Sequence, residues 1–241
     1  MLPRVVITGL GVVSPNGVGK EAFCRAILAG KSGVKHISRF DPSDLPVHIA
    51  GEIPDFDELA WVDARERKHV SRVVPLALAA SSEAIRDAGL DPTAMSMDEK
   101  REIGVILGTG GGAQEFSEEQ YRLWHSGHVK QVSLFCIPSG TMGTIPSEVS
   151  MRFGFRGYSH VVTTGCTSST DAIGYAYQHI QAGVQPRTHS ASRADAIARF
   201  GTRPDEQRRR PTSDVSSPAV SPRSPSPGNC SASKSRSSWS R

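Results

Sequence analysis

One thiol stands where chemistry is expected. Cys166 lies within VVTTGCTSSTDAIGYAYQHIQAG, residues 161–183, between an apolar β-branched run and a helical pattern. At the start of a helix, unpaired N–H groups and the positive end of the helix dipole favour thiolate over thiol, the form that attacks carbonyls. Gly165 and Ser168 are small enough to let a substrate carbonyl come close. The alternative is a buried structural cysteine, because free Cys is among the most buried residue types. The junction of strand and helix favours the nucleophile.

The elements that must position this thiol follow from periodicity. Val161–Thr164 is expected to be a strand. Ile173, Ala176, Tyr177 and Ile180, at spacings of three and four, predict the buried face of a helix. Ser168 or Ser169 can cap that helix and Gly183 can stop it. Upstream, residues 4–13 predict a buried strand entering a Gly-rich turn, and Lys20–Ala29 a helix ending at Gly30. Residues 34–56 are turn-rich and predict loops. Arg65–Gly89 carries a long helical pattern that Pro75 should kink or break near Val74. Ile103–Leu107 predicts a short buried strand leading into Gly108–Gly112, followed by a helix over Gln114–Trp124. A tighter segment begins at Phe135–Pro138, and Thr144–Phe153 predicts a helix that Gly154 ends. Strands alternating with helices imply an α/β domain around a largely buried sheet.

The Gly-rich loop admits a second reading. Gly108-x-Gly110-x-x-Ala113 after a strand formally fits a dinucleotide fingerprint. No Asp or Glu stands some twenty residues on, where Gln131 lies, so nucleotide binding is not expected.

Composition divides the chain. The 241 residues are 37% hydrophobic with a net charge of +4, and much of the positive excess falls in the last quarter. From Pro186 to Arg241 the chain is dominated by Ser, Arg and Pro. Such a segment buries too little apolar surface to offset its ordering entropy, so disorder is expected there. The organisation expected is therefore a folded domain over 1–185 and a tail over 186–241. Arg208–Arg210 in that tail could meet phosphates, but without interleaved aromatics a solvated tail is the simpler reading, and nucleic acid is not an expected partner. Cys24, Cys136, Cys166 and Cys230 form no CxxC pair or disulfide framework, which suggests thiols in a reducing compartment. No stretch approaches the roughly 18 apolar residues of a membrane span, and no signal-peptide core opens the chain. A cytoplasmic protein without metal, cofactor or membrane contact is expected.

Taken together, three stretches in order resemble the N-terminal half of a β-ketoacyl-acyl-carrier-protein synthase, the ketosynthase of fatty-acid or polyketide synthesis. They are VVITGLGVVSPNGVG (5–19), GVILGTGGG (104–112), and the run from FCIPSGTMG (135–143) through MRFGFRG (151–157) to TTGCTSSTDAIGYAYQHIQAG (163–183). The resemblance implies a thiolase-like layered αβαβα fold, present here as its N-terminal half and dimeric in the intact family. It implies that Cys166 accepts an acyl chain from an acyl carrier protein thioester. A malonyl thioester then loses carbon dioxide, and its enolate attacks the acyl carbonyl. Gly108, Gly110 and Gly111 would border the acyl pocket and dimer face. Phe135 and Ile137 would line it, core packing being their alternative. The backbone N–H of Cys166 would be one oxyanion donor. Tyr158 replaces a frequent Pro and Gly165 a frequent Ala, both tolerable changes.

The resemblance stops within one residue of Pro186, where an apolar strand and small-residue turn would be expected. The Ser-, Arg- and Pro-rich stretch from Pro186 onward resembles an out-of-frame reading of a GC-rich gene, suggesting a frameshift near Gln185 or a gene remnant. The family's catalytic histidines and Lys belong to a second half without counterpart here. His36, His48, His69, His125, His128, His160, His179 and His189 match none of those motifs and are expected on surfaces or loops. His179 lies well over two helical turns beyond Cys166. The expected function is thus a condensing acyltransferase inactive on its own. The other readings are a half-fold that binds an acyl carrier protein or an intact ketosynthase, and nucleic-acid binding through the tail.

Overall fold

Every residue of Ile103–Gly108 is buried, as a strand covered on both faces requires. The computed structural model describes residues 4–192 and 197–202 and builds outward from this strand. In chain order come β1 (Val5–Gly11), the short pair β2 (Val13–Ser14) and β3 (Gly17–Val18), and α1 (Lys20–Leu28). The three-residue strands β4 (Val34–His36) and β5 (Ile49–Gly51) then pair antiparallel, giving the expected loop region a small hairpin. Next are α2 (Ala64–Arg67), α3 (Val73–Asp87), α4 (Met97–Arg101), the buried strand β6, and α5 (Gln114–His125). The series closes with α6 (Cys136–Gly140), α7 (Thr144–Phe153), β7 (Ser159–Val162), α8 (Ser168–Gln181), β8 (Arg187–Ser192) and β9 (Ile197–Thr202).

Five strands form one sheet in the order β1-β9-β8-β6-β7, with β6 parallel to both its neighbours. Alternation along β6 divides the core. Ile103, Val105 and Leu107 pack with Val74, Leu78 and Ala84 of α3 and with Ile145 and Val149 of α7. Ile106 faces the other way, into a cluster with Val162 and with Ala172, Ala176 and Ile180 of α8. Helices therefore cover both faces of the sheet. Each fully buried aliphatic side chain of this kind contributes about 1.5–3 kcal/mol.

The long helical pattern of 65–89 divides before Pro75, not at it. Pro75 sits in the first turn of α3, where a missing N–H breaks no helical bond. The interruption lies between α2 and α3, where Arg67 and Arg72 both pair with Glu58. Burial pushes the Glu58 carboxyl up, but hydrogen bonds from the two guanidinium groups outweigh it and hold it below the ordinary range.

Two expectations are corrected. β1 is not buried throughout: Gly9 and Gly11 are buried against α3, while Ile7 and Leu10 are exposed. A Cβ at Gly9 or Gly11 would lie 2.2 or 2.0 Å from the carbonyls of Ala84 or Ala80, so the glycines let strand and helix touch backbone to backbone. The sheet also continues past Gln185. β8 and β9 fall inside the stretch expected to be disordered, because backbone pairing with β6 and β1 needs no aliphatic side chains. Gln185 is itself tied in: its Oε1 accepts from the Tyr158 N–H at 3.1 Å, and its Nε2 donates to the Arg101 carbonyl at 2.9 Å. The remaining tail, Arg208–Arg210 and Cys230 included, lies outside the described residues.

Candidate active site

Parallel pairing of β6 and β7 brings two loops to one end of the sheet. Gly108 and Val162 are register partners, and the Thr109 N–H donates to the Val162 carbonyl at 3.0 Å. Beyond them, the Gly-rich loop after β6 and the Cys166 turn after β7 open together, at the carboxyl ends of the strands where α/β sheets place ligands. They enclose a pocket of about 480 Å³ lined by Thr109, Gly110, Gly111, Gly165, Cys166, Ser168 and Ser169. Cys166 is exposed in it and is a free thiol, as are Cys24 and Cys136. The buried-structural alternative for Cys166 does not hold.

The thiol rides on a 3-10 turn, Gly165–Thr167, that winds directly into α8. Ser168 does not cap the helix from outside; it is the first helical residue. Its Oγ accepts from the Thr164 N–H at 2.8 Å and donates to the Gly165 carbonyl at 2.6 Å, closing the turn on itself. Thr167 is the cap residue and makes no side-chain capping bond. The turn is possible because Gly165 has φ +66°, a left-handed conformation. At the far end of α8, Gly183 with φ +70° ends the helix as expected. The buried face is Ala172, Ala176 and Ile180, whereas Ile173 and Tyr177 are exposed. The stripe is thus turned from the one periodicity suggested. Small residues at 172 and 176 let α8 lie close on the sheet.

The other site residues separate. Gly110 and Gly111 line the pocket. Gly108 does not: it is buried beneath α8, where a Cβ would lie 2.1 Å from the Ser168 carbonyl oxygen. The Gly-rich loop itself is shaped by buried Thr109, whose Oγ1 accepts from the Gly112 N–H at 2.9 Å. Phe135 and Ile137 are neither core nor part of the Cys166 pocket. Phe135 is half exposed with its ring 4.7 Å from that of His69. Ile137 is 77% exposed and lines a separate groove of about 330 Å³ with Tyr121, Trp124 and Cys136. A side chain following an apolar strand signal is readable as packing, but which cavity it serves depends on how α5 and α6 meet.

Among the histidines, His189 departs from expectation, being fully buried on β8 beside Phe155. None lines the Cys166 pocket among the described residues. No group of three or more His, Cys, Asp or Glu is placed to hold a metal ion among the described residues, and no helix among them is long and apolar enough to cross a membrane. Asp171, Thr164 and Thr167 form a cluster around the cysteine turn that spacing alone does not single out.

The fold itself, a buried sheet with helices on both faces, is shared with solved ketosynthases. The ishigamide ketosynthase/chain length factor superposes with a TM-score of 0.75 over 87% of this chain and 60% of that one, at 21% identity. The family described as β-ketoacyl synthase, N-terminal domain, matches residues 3–186. The chain belongs to the β-ketoacyl synthase family. It is 37% identical over 180 residues to the tetracenomycin polyketide synthase ketoacyl synthase beta subunit of Streptomyces glaucescens, covering 74% of this chain and 43% of that protein. It is 35% identical over 177 residues to 3-oxoacyl-[acyl-carrier-protein] synthase 2 of Coxiella burnetii, covering 73% and 42%. The chain thus matches less than half the length of these relatives.

Proposed function

We propose that this chain carries the acyl-accepting step of a β-ketoacyl-acyl-carrier-protein synthase, with Cys166 as nucleophile. The observation that carries the reading is an exposed thiol in a pocket walled by backbone-rich glycines, Gly110 and Gly111. On the side of Gly110 and Gly111 no Cβ stands in the way of a thioester carbonyl. The thiolate would attack that carbonyl, the backbone N–H of Cys166 would meet the developing oxyanion, and the carrier thiol would leave. Decarboxylation of a malonyl thioester and attack by its enolate would complete condensation. That second step needs donors for the malonyl carboxylate and enolate, and the described lining of the pocket holds no His or Lys. Condensation by this chain alone is therefore not expected.

The partner class proposed is the acyl carrier protein, in keeping with the name of the Coxiella relative. Pairing of two ketosynthase-fold chains is proposed as well, supported by the paired ketosynthase and chain length factor. Phe135 and Ile137 would touch an acyl chain only once such pairing brings them against a Cys166 pocket. The second reading, a half-fold that docks on an intact ketosynthase, draws on the exposed Ile173, Tyr175 and Tyr177 of α8.

Iodoacetamide or cerulenin labelling followed by peptide mass spectrometry tests the nucleophile. Cys166 should label ahead of Cys24, which is also exposed, and Cys166→Ala should remove that fast adduct. Equal labelling of both cysteines would leave only the binding-module reading. Malonyl-dependent elongation of an acyl carrier protein thioester should be undetectable. Turnover abolished by Cys166→Ala would overturn that expectation.

We further propose that the reading frame changes near Gln185. Support comes from β8, where Thr188 and Ser190 are buried beside the wholly apolar β6 with hydroxyls that meet no hydrogen-bond partner among the described residues. Buried polar atoms are nearly always paired. An apolar strand would fit the place better. A transcript and peptide confirming one intact frame across codon 185 would refute the frameshift.

A further inference from the structure

The stretch Thr163–Thr167 that carries the thiol is exposed at every residue, and a Cβ at Gly165 would meet nothing within 4 Å. Packing therefore does not hold the thiol in place; hydrogen bonds must. One set is the Ser168 hydroxyl, which ties the backbone of the turn. The other centres on Asp171. The Thr164 hydroxyl donates to Asp171 Oδ2. The Thr167 hydroxyl donates to the Thr164 carbonyl at 3.0 Å and stands 3.3 Å from the same carboxylate oxygen. One carboxylate thus gathers the threonines on either side of Cys166, two residues before it and one after. Asp171 lies in the first turn of α8, where the helix N-terminus favours a negative charge.

We propose that Asp171 is a positioning residue for Cys166: by holding Thr164 and Thr167 it fixes the turn that aims the sulfur into the Gly110–Gly111 pocket. The proposal deepens the acyl-acceptor reading and rests on it for its chemical consequence. Losing the carboxylate would leave the turn to the Ser168 hydroxyl and the Thr167–Thr164 bond, and its residues would sample more conformations. A misaimed nucleophile would then lose rate with a positioned thioester but not with a small, freely diffusing alkylator.

The test uses the full chain and its Asp171→Ala and Asp171→Asn variants, with hexanoyl-N-acetylcysteamine as acyl donor and iodoacetamide as position-insensitive probe. Asp171→Ala should slow acyl transfer to Cys166 about tenfold or more, while alkylation of Cys166 changes less than about twofold. Amide exchange over 164–168 should quicken, with that of 172–180 changing little. Asp171→Asn, which keeps an acceptor oxygen, should recover part of the loss. Acyl transfer at the wild-type rate in Asp171→Ala, or unaltered exchange over 164–168, would overturn the assignment. If the unsubstituted chain accepts no acyl group yet the exchange difference is seen, the acyl-acceptor reading falls and the hold of Asp171 on the turn stands.

Discussion

Two glycines beside Cys166 do opposite work. Gly108 has no room for a side chain, because Ser168 and Ser169 backbone atoms fill the place of its Cβ. Gly165 has all the room it needs but adopts φ +66°. Gly108→Ala should therefore displace the start of α8, destabilise by about 1–3 kcal/mol in urea denaturation, and erase the preference for labelling Cys166 over Cys24. Gly165→Ala should cost about 1–2 kcal/mol through backbone strain alone while keeping that preference. Both glycines were visible in the sequence; only the packing tells them apart. Glu148 on α7 offers a pH test of the same kind. Burial, and then the nearby Glu66 charge, raise its carboxyl above the ordinary range. A folded state that holds this proton more tightly is favoured below the ordinary carboxylate pKa and loses that stability as pH rises through the folded one. Glu148→Gln should raise the urea midpoint at pH 7, with the gain shrinking towards pH 4. An equal gain at both would exclude this origin.

Among the elements, legibility tracks how local the determining forces are. The limits of α7 and its stop at Gly154, with φ +72°, follow from helical spacing and a left-handed glycine. β6 is readable as an unbroken apolar run. β8 was not readable, since Arg187–Ser192 owes its place to hydrogen bonds along the edge of β6 rather than to its own side chains. That placement leaves a mark. Thr188→Val and Ser190→Ala remove buried hydroxyls that have no partner among the described residues, with little change in volume, and each should stabilise by about 1–3 kcal/mol. A lower urea midpoint in the double variant would mean that those hydroxyls are satisfied in solution. The orientation of α8 was likewise hidden, because Ala172 and Ala176 give a weaker hydrophobic signal than the exposed Ile173 and Tyr177.

Across the whole molecule, apolar surface remains uncovered in several places. Ile173, Tyr175 and Tyr177 of α8, Ile7 and Leu10 of β1, and Tyr121, Trp124 and Ile137 around the second groove are all exposed. Large exposed apolar patches drive association. Light scattering on the isolated chain should show concentration-dependent assembly, and Ile173→Lys with Tyr177→Lys should lessen it. A monodisperse monomer with a cooperative melt would count decisively against this.

The sequence by itself determined the family, the alternation of strands and helices, and the cysteine proposed as nucleophile, because these rest on short-range spacing and on residue chemistry. Tertiary structure decided the rest. It placed Gly108 under α8 and Gly110 and Gly111 beside Cys166, and it set Phe135 and Ile137 apart from that pocket. It gathered Thr164 and Thr167 on Asp171 and seated a polar segment in the sheet. Each of these depends on which backbone lies against which, a property of paired strands and packed helices that a one-dimensional pattern carries only in part.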